Sequence, residues 1–194
     1  MVQKISETKS NVLINNQINQ IIDLINLGNF QDAVIVGQSL EESSKNNPDV
    51  LSIMGMLTEK LGAHEDAVRY FRKVVKIRPN CALSSYNLAN SLNSIGRQEA
   101  AISSYKQAIR NKRNYAEAHY ALGNVYSSVS NYKKAVSHYK EAIRSQPQLA
   151  EAHNNLGTAL TKLGRQDEAI DSYHSATSIK PDYSEAYHNL AVML

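Results

Sequence analysis

The sequence predicts an all-α fold in which pairs of helices repeat along the chain. Small and large residues recur at a period of 34, and apolar residues within each period are spaced as on one helix face. Turn-forming residues are few, with 8 Gly and 4 Pro in 194 residues. Because an all-β chain would need a turn about every dozen residues, we expect an α-solenoid of helix-turn-helix units instead.

The period is clearest in the glycines. Gly28, Gly62, Gly96 and Gly164 lie 34, 34 and 68 residues apart, and Ser130 stands at the missing place. Three other series keep the same register, namely an alanine, a large aromatic residue and a proline. Their members are Ala33, Ala67, Ala101, Ala135 and Ala169; Phe71, Tyr105, Tyr139 and Tyr173; and Pro79, Pro147 and Pro181.

Each period contains two helices. Ala152, Leu156 and Ala159 follow the i, i+4, i+7 spacing of one helix face, and Tyr132 begins a second series of the same kind. The glycine between them suits a left-handed residue that ends the first helix. The proline ends the second helix because it cannot supply an interior donor. The apolar faces of such a pair are covered only by neighbouring pairs.

These residues carry a family resemblance. The segments AEAHYALGNVYSSVSNYKKAVSHYKEAIRSQPQ and AEAHNNLGTALTKLGRQDEAIDSYHSATSIKPD resemble tetratricopeptide repeats. The resemblance places a polar leader at 1–13, copies at 14–47, 48–81, 82–115, 116–149 and 150–183, and a partial copy at 184–194. The first copy departs most, with Ile21 at the glycine place and Gly37 at the aromatic place. The resemblance implies a right-handed superhelix whose concave groove is lined by the first helix of each pair.

The concave positions implied by the resemblance carry mainly amides, hydroxyls and tyrosines from residue 82 onward. An asparagine amide offers both a donor and an acceptor, which match the backbone of an extended peptide. Asn87, Asn155 and Asn189 share one repeat position, and this row is similar to the asparagine ladder of O-linked N-acetylglucosamine transferases. The expected peptide-binding residues are Tyr86, Asn87, Asn90, Asn93, Tyr120, Asn124, Asn154, Asn155 and Asn189.

These positions have two other interpretations. Asparagine could be solvated filler, since the chain is also rich in asparagine elsewhere, as at Asn15 and Asn46. A clamp for a C-terminal carboxylate, known from chaperone-binding repeat domains, is not expected. Tyr120 stands where that clamp has its first lysine, and Glu185 and Asn189 stand where it has its last two cations.

The charge is uneven along the chain. Residues 69–113 carry ten basic side chains and one acidic side chain, a net charge of +9, whereas the whole chain carries +3. Most of the block falls on second helices, where basic residues near the carboxyl end complement the helix dipole. We expect a solvated outer face. Nucleic acid is not the expected partner, because the nearby tyrosines hold repeat-core positions and cannot stack on bases.

No catalytic constellation is expected in this chain, and no cofactor or metal. It lacks the sequence motifs of phosphate loops, dinucleotide sites and hydrolase elbows. His119 and His153 stand at equivalent repeat positions and are predicted to pack between helices, while His138 has no partner fixed by spacing. The single thiol, Cys81, has no histidine or lysine to activate it and is predicted to be inert.

The sequence ends at YHNLAVML within a repeat, which leaves Leu190, Met193 and Leu194 without a covering helix. We expect continuation beyond Leu194 or self-association through this uncapped helix.

The leading functional hypothesis is a cytoplasmic protein-interaction module that binds an extended segment in its asparagine-lined groove. The alternatives are the substrate-recruiting arm of a larger enzyme, such as a glycosyltransferase, and a self-assembling scaffold.

Overall fold

The structure, a computed structural model, describes residues 2–193, with side chains from Val12 to Met193. Over this range it consists of eleven α-helices and contains no strand, so the predicted all-α solenoid of helix pairs is confirmed. The helices are α1 (Val2–Asn26), α2 (Phe30–Ser43), α3 (Pro48–Lys60), α4 (His64–Ile77), α5 (Ala82–Ser94), α6 (Gln98–Asn111), α7 (Ala116–Ser128), α8 (Tyr132–Ser145), α9 (Ala150–Lys162), α10 (Gln166–Ile179) and α11 (Ser184–Met193).

The chain divides into two compact units. The first ends at Arg97 and holds α1 to α5, and the second begins at Gln98 and holds α6 to α11. The division falls in the turn between the two helices of the predicted copy at 82–115. In each unit, helices that follow one another along the chain pack against one another.

From residue 48 onward the first helix of each pair begins at the expected place. The helices α3, α5, α7, α9 and α11 begin at residues 48, 82, 116, 150 and 184. At α3 the Asn47 side chain accepts from the backbone N–H of Asp49 at 2.9 Å and of Val50 at 3.3 Å. These bonds satisfy orphan donors of the first turn. The polar leader at 1–13 belongs to α1, which begins at Val2 and is helical in its backbone through residue 13.

A left-handed residue ends the first helix of each pair. Gly28, Gly62, Gly96 and Gly164 have φ between 72° and 77°, and Ser130 adopts φ 58° at the equivalent place. The next residue then folds back onto the helix, as where the N–H of Ala63 donates to the carbonyl of Thr58 at 2.9 Å. This closure sets the tight turn between paired helices.

Helix pairs approach closely where a small residue meets a large one. A Cβ added to Gly123 would lie 2.6 Å from the Tyr139 ring, and one added to Gly55 would lie 2.8 Å from Phe71. Side chains of this kind form the core, in which Phe71 is 2% exposed and Tyr139 1% exposed. In the first pair the small and large residues exchange places. Ile21 stands at the glycine position and is fully buried, and Gly37 stands at the aromatic position and packs against Met54 of α3.

The last described helix does not match the expectation for its apolar side chains. Leu190 was expected to be uncovered, yet it is only 7% exposed because its face of α11 packs toward α10. Met193 is half-buried, with its sulfur 3.7 Å from the Thr161 hydroxyl. The exposed apolar residues of α11 are instead Tyr187 and Val192, at 49% and 72%. Leu194 lies outside the described residues.

Candidate functional site

The second unit holds a pocket of about 290 Å³ between α7, α8 and α9. We call it the Asn124 pocket. It is lined without charge by Asn124, Ser127, Ser128, Tyr139, Asn155 and Thr158. The side chains from α7 lie three and four residues apart, which places them along one face of the helix.

The first unit holds a pocket at the same repeat positions. We call it the Asn90 pocket; its volume is about 140 Å³. Each pocket uses the ninth, twelfth, thirteenth and twenty-fourth positions of one copy and the sixth and ninth of the next. The Asn90 pocket adds one further residue, Ser91. Its lining is Met56, Glu59, Lys60, Phe71, Asn87, Asn90 and Ser91.

A larger pocket also lies in the first unit. That larger pocket, of about 650 Å³, lies among α2, α3 and α4 and is lined mainly by charged and amide side chains, including Glu41 and Lys73. A surface that a repeat fold offers more than once suits a ligand that is itself extended.

Hydrogen bonds organise the amides of the Asn124 pocket. The Tyr139 hydroxyl donates to Asn124 Oδ1 at 2.8 Å, and Asn155 Nδ2 donates to the same oxygen at 3.0 Å. The second hydrogen of Asn155 Nδ2 is donated to the Tyr120 hydroxyl at 3.2 Å. Burial raises the pKa of the Tyr139 phenol, which therefore stays a neutral donor.

This network leaves one donor available. The two lone pairs of Asn124 Oδ1 are used by Tyr139 and Asn155. Asn124 Nδ2, in contrast, donates to no residue among those with described side chains. The pocket thus presents a preorganised amide N–H that can meet a carbonyl oxygen.

Asn154 does not face a ligand as the sequence suggested. It is 0% exposed, and its Oδ1 accepts from Asn189 Nδ2 at 3.0 Å. Its Nδ2 donates to Glu185 Oε1 at 3.1 Å. The Asn154 amide therefore holds α11 to α9, and this bond also engages the half-buried Asn189. Asn154 and Asn155 both lie on α9, but packing of α11 covers Asn154, whereas Asn155 lines the Asn124 pocket.

The remaining predicted residues lie in the first unit. Tyr86, Asn87 and Asn90 are half-buried on α5, and Asn93 is exposed on the same helix. Asn87 and Asn90 line the Asn90 pocket. Sequence reasoning missed the α3 side of this pocket, where Glu59 Oε2 accepts from the Ser91 hydroxyl at 2.6 Å. The signal was present, because Met56, Glu59 and Lys60 hold the same repeat positions as Asn124, Ser127 and Ser128.

The fold also brings together a histidine pair that spacing did not reveal. His119 Nδ1 lies 3.2 Å from His138 Nδ1, and His119 Nε2 lies 3.2 Å from the Arg113 carbonyl. Since the carbonyl can only accept, Nε2 of His119 carries the proton and His138 Nδ1 donates to His119 Nδ1. Burial lowers the pKa of both rings, that of His138 to about 4.

His119 and His153 pack as predicted. His153 Nε2 lies 3.0 Å from the Pro147 carbonyl, which is the equivalent of the His119 contact one repeat later. Among the side chains from Val12 to Met193, no three histidine, cysteine, aspartate or glutamate residues converge in a way that could hold a metal ion.

Cys81, which is predicted to be inert, lies beside groups that lower the pKa of its thiol. It precedes α5 as its N-cap residue. Burial raises its pKa, but hydrogen bonds from the Ser84 hydroxyl and backbone N–H, together with the Arg78 charge, outweigh burial and lower it overall. The groups that lower the pKa are hydrogen-bond donors and a nearby arginine, which a search for histidine or lysine does not detect.

Models of known families match three parts of the chain. A model described as Tetratricopeptide repeat matches residues 48–81, another with that description matches 113–182, and one described as TPR repeat matches 89–129. No curated protein matches the chain in sequence. Over the part of the chain that the structure describes, no helix is both long and apolar enough to cross a membrane.

Solved structures share the fold. The crystal structure of MamA superposes with a TM-score of 0.78 at 26% identity, covering 84% of this chain and 95% of that one. MamA 41-end from Desulfovibrio magneticus RS-1 gives 0.79 at 22% identity, covering 88% and 97%. YrrB, described as a TPR protein with an unusual peptide-binding site, gives 0.76 at 19% identity, covering 100% and 97%.

Proposed function

We propose that this chain, which carries tetratricopeptide repeats over residues 48–81 and 89–182, is a protein-interaction module that binds an extended protein segment. The observation that carries the proposal is the recurrence of one pocket at equivalent repeat positions in both units. A ligand of this kind repeats its backbone groups as the protein repeats its pockets. Each pocket can therefore contact its own part of such a segment, with different chemistry because Met56 stands in the first unit where Asn124 stands in the second.

The Asn124 pocket supplies the recognition chemistry in the second unit. Asn124 Nδ2 donates to a peptide carbonyl, while Tyr139 and Asn155 hold the Asn124 side chain in place. Ser127, Ser128 and Thr158 add hydroxyls to the same lining. Such a lining does not select particular side chains of the peptide. We therefore propose that this pocket contacts the backbone of the bound segment.

The Asn90 pocket adds selectivity in the first unit. Met56 is 48% exposed, and Phe71 also contributes to this lining, so an apolar side chain fits there. The Glu59 carboxylate is held by the Ser91 hydroxyl and by His64 Nδ1, at 2.6 Å and 3.0 Å. Tyr86 and Asn93 of α5, and Tyr120 and Asn189 of the second unit, are proposed to flank the bound segment.

A selected peptide tests the proposal. A library of random twelve-residue peptides displayed on phage is selected against the chain, and the dissociation constant of the best binder is measured by calorimetry. Asn87→Ala with Asn124→Ala should weaken binding at least tenfold, since a buried ligand carbonyl would lose its partner. Asn80→Ala with Asn114→Ala is the matched control, because these two asparagines are exposed in turns, one in each unit.

Nuclear magnetic resonance shows whether the peptide binds at the Asn124 pocket or at another surface of the protein. The Asn124 side-chain amide resonances should move when the peptide binds, whereas those of buried Asn154 should not. Equal affinity of both double variants, or a peptide that leaves the Asn124 amide unmoved, would rule out these pockets as the binding surface.

Two finer versions of this function have separate supports. The asparagines on the first helices support a substrate-recruiting arm of a larger enzyme, such as a glycosyltransferase, and a stop codon directly after Leu194 would exclude that version. Exposed Tyr187 and Val192 on α11 support a self-assembling scaffold. A molecular mass that stays monomeric at rising concentration in light scattering would exclude the scaffold.

A further inference from the structure

The first unit carries a cleft that the groove hypothesis does not use. It lies along one face of α4 and the turn after α5, with a volume of about 430 Å³, and we call it the α4 cleft. Its lining combines four basic residues with two aliphatic residues and one acidic residue. These are Arg69, Arg72, Lys73 and Arg97; Val68 and Ile95; and Glu65.

Helix geometry explains why these side chains converge. The lining residues of α4 follow the spacing i, i+3, i+4, i+7, i+8 from Glu65, which is one continuous helix face. Val68 is 4% exposed and Ile95 is half-buried, so the aliphatic groups form the floor. The long basic side chains stand around that floor and reach solvent.

Three of the four cations of the cleft lack an anionic partner among the described side chains. Within the part of the chain whose side chains are described, Arg72, Lys73 and Arg97 form no ion pair, and Arg69 is bound to Asp66 at 2.9 Å. Arg78 differs from these three, because it contacts both carboxylate oxygens of Asp49 at 2.6 Å and 2.9 Å. Unpaired guanidinium groups around an apolar floor are suited to carboxylates that approach in pairs.

We propose that the α4 cleft is a second binding site, for an acidic peptide segment in which an aliphatic side chain is flanked by aspartates or glutamates. The aliphatic side chain lies on Val68 and Ile95, and the flanking carboxylates pair with Arg72 and Arg97. Lys73, whose Nζ lies 5.7 Å from the Tyr70 ring, adds positive charge at the edge. The site goes beyond the proposed groove, because none of its lining residues belongs to either recurring pocket.

The same features favour an acidic peptide over nucleic acid. Stacking of bases needs an exposed aromatic face, and Tyr70 beside the cleft is only 8% exposed. An aliphatic floor adds nothing to phosphate binding, but it contributes apolar burial for a leucine or isoleucine side chain.

Fluorescence anisotropy with defined probes tests the proposal. The first probe is a labelled peptide with one leucine flanked on each side by three glutamates; the second has glycine for leucine, and the third has glutamine for glutamate. A twelve-nucleotide oligothymidine is the fourth. The leucine peptide should bind at least tenfold more tightly than the glycine and glutamine peptides, and its affinity should fall as salt rises.

Matched variants locate the site. Arg72→Gln with Arg97→Gln should weaken the leucine peptide at least tenfold. Lys76→Gln with Lys133→Gln removes the same charge from exposed positions outside the cleft and should change binding less than threefold. Circular dichroism melting of both variants verifies that each remains folded.

Three outcomes would overturn the proposal. The two double variants could weaken binding equally, which would indicate diffuse attraction to the basic surface. The leucine and glycine peptides could bind with equal affinity, which would show that the aliphatic floor does not contribute to binding. Oligothymidine could bind more tightly than the leucine peptide in an Arg72- and Arg97-dependent manner, which would assign the cleft to nucleic acid.

Discussion

Gly157 of α9 lies directly against the ring of Tyr173 of α10. A Cβ added to Gly157 would be 2.6 Å from Tyr173 Cε1, closer than real Cβ contacts. The same relationship, with the same sixteen-residue separation, joins Gly123 to Tyr139. Glycine at this place is thus required by the approach of the two helices. The backbone of Gly157 is helical and needs no unusual φ.

Gly157→Ala should destabilise the protein by about 1–3 kcal/mol, because the added methyl displaces the Tyr173 ring in a packed core. Alanine is the better helix former by ~1 kcal/mol, so the same substitution would stabilise an isolated helix. Urea unfolding measures the effect, with Lys162→Ala on the exposed face of the same helix as the control. A Gly157→Ala variant as stable as the parent would show that the ring moves aside freely.

Ser130→Gly should stabilise the protein. Ser130 adopts φ 58° where the equivalent residue of the next copy, Gly164, adopts φ 72°. A residue with a Cβ pays about 1–2 kcal/mol in this conformation, so we expect a gain of about 1 kcal/mol after the greater chain entropy of glycine is allowed for. Gly164→Ser is the reciprocal variant and should lose a similar amount. Thermal melting checks both, and changes of the same sign in the pair would contradict the explanation.

His138 should make stability depend on pH. Burial, with the charges of His119, Lys106 and Lys134, lowers its pKa from 6.5 to about 4. The folded state therefore favours the neutral ring, so stability is full above pH 6.5 and is lost as pH falls toward 4. Screening of the half-buried ring reduces the loss to on the order of 2 kcal/mol.

Urea unfolding between pH 4 and pH 7 measures this loss, and His138→Gln is the comparison. The glutamine variant should show a smaller loss over that interval, because other acid-sensitive groups contribute equally to both proteins. Parallel curves for the parent and His138→Gln would assign the acid sensitivity elsewhere.

Cys81 should react as a thiolate at lower pH than an ordinary cysteine. Burial raises its pKa, but the donors from Ser84 and the Arg78 charge lower it overall. The rate of iodoacetamide alkylation is measured by mass spectrometry as a function of pH. We expect the midpoint pH of this rate profile to be lower than that of an unstructured cysteine peptide. Ser84→Ala should move the midpoint upward, since one hydrogen bond to the thiolate is lost. A midpoint above that of the peptide would show that burial prevails.

The helices were predictable because their signals are local. The glycine period predicts where the first helix of each pair ends, and the left-handed φ at Gly62 and Gly96 bears this out. The small and large positions likewise predict close helix packing, as seen at Gly55 and Phe71. Each of these features depends on the residue itself or on a neighbour within one repeat.

The candidate site was less predictable because exposure depends on the next helix. Asn154 and Asn155 are adjacent and chemically identical, yet Asn154 is buried under contacts from α11 and Asn155 lines a pocket. Similarly, Leu190 was expected to be open and is covered. Side chains on α7 and α8 also meet at His119 and His138, a separation that no helical period indicates.

The sequence by itself determined the all-α repeat, the helix starts from residue 48 onward and the places of the turns, because a 34-residue period and glycine chemistry act within each unit. Only the tertiary structure decided which asparagines remain accessible, which cations stay unpaired along α4 and which groups lower the pKa of the Cys81 thiol. These properties depend on distances between atoms of separate helices. A linear pattern shows which face a residue occupies, but not what packs against that face.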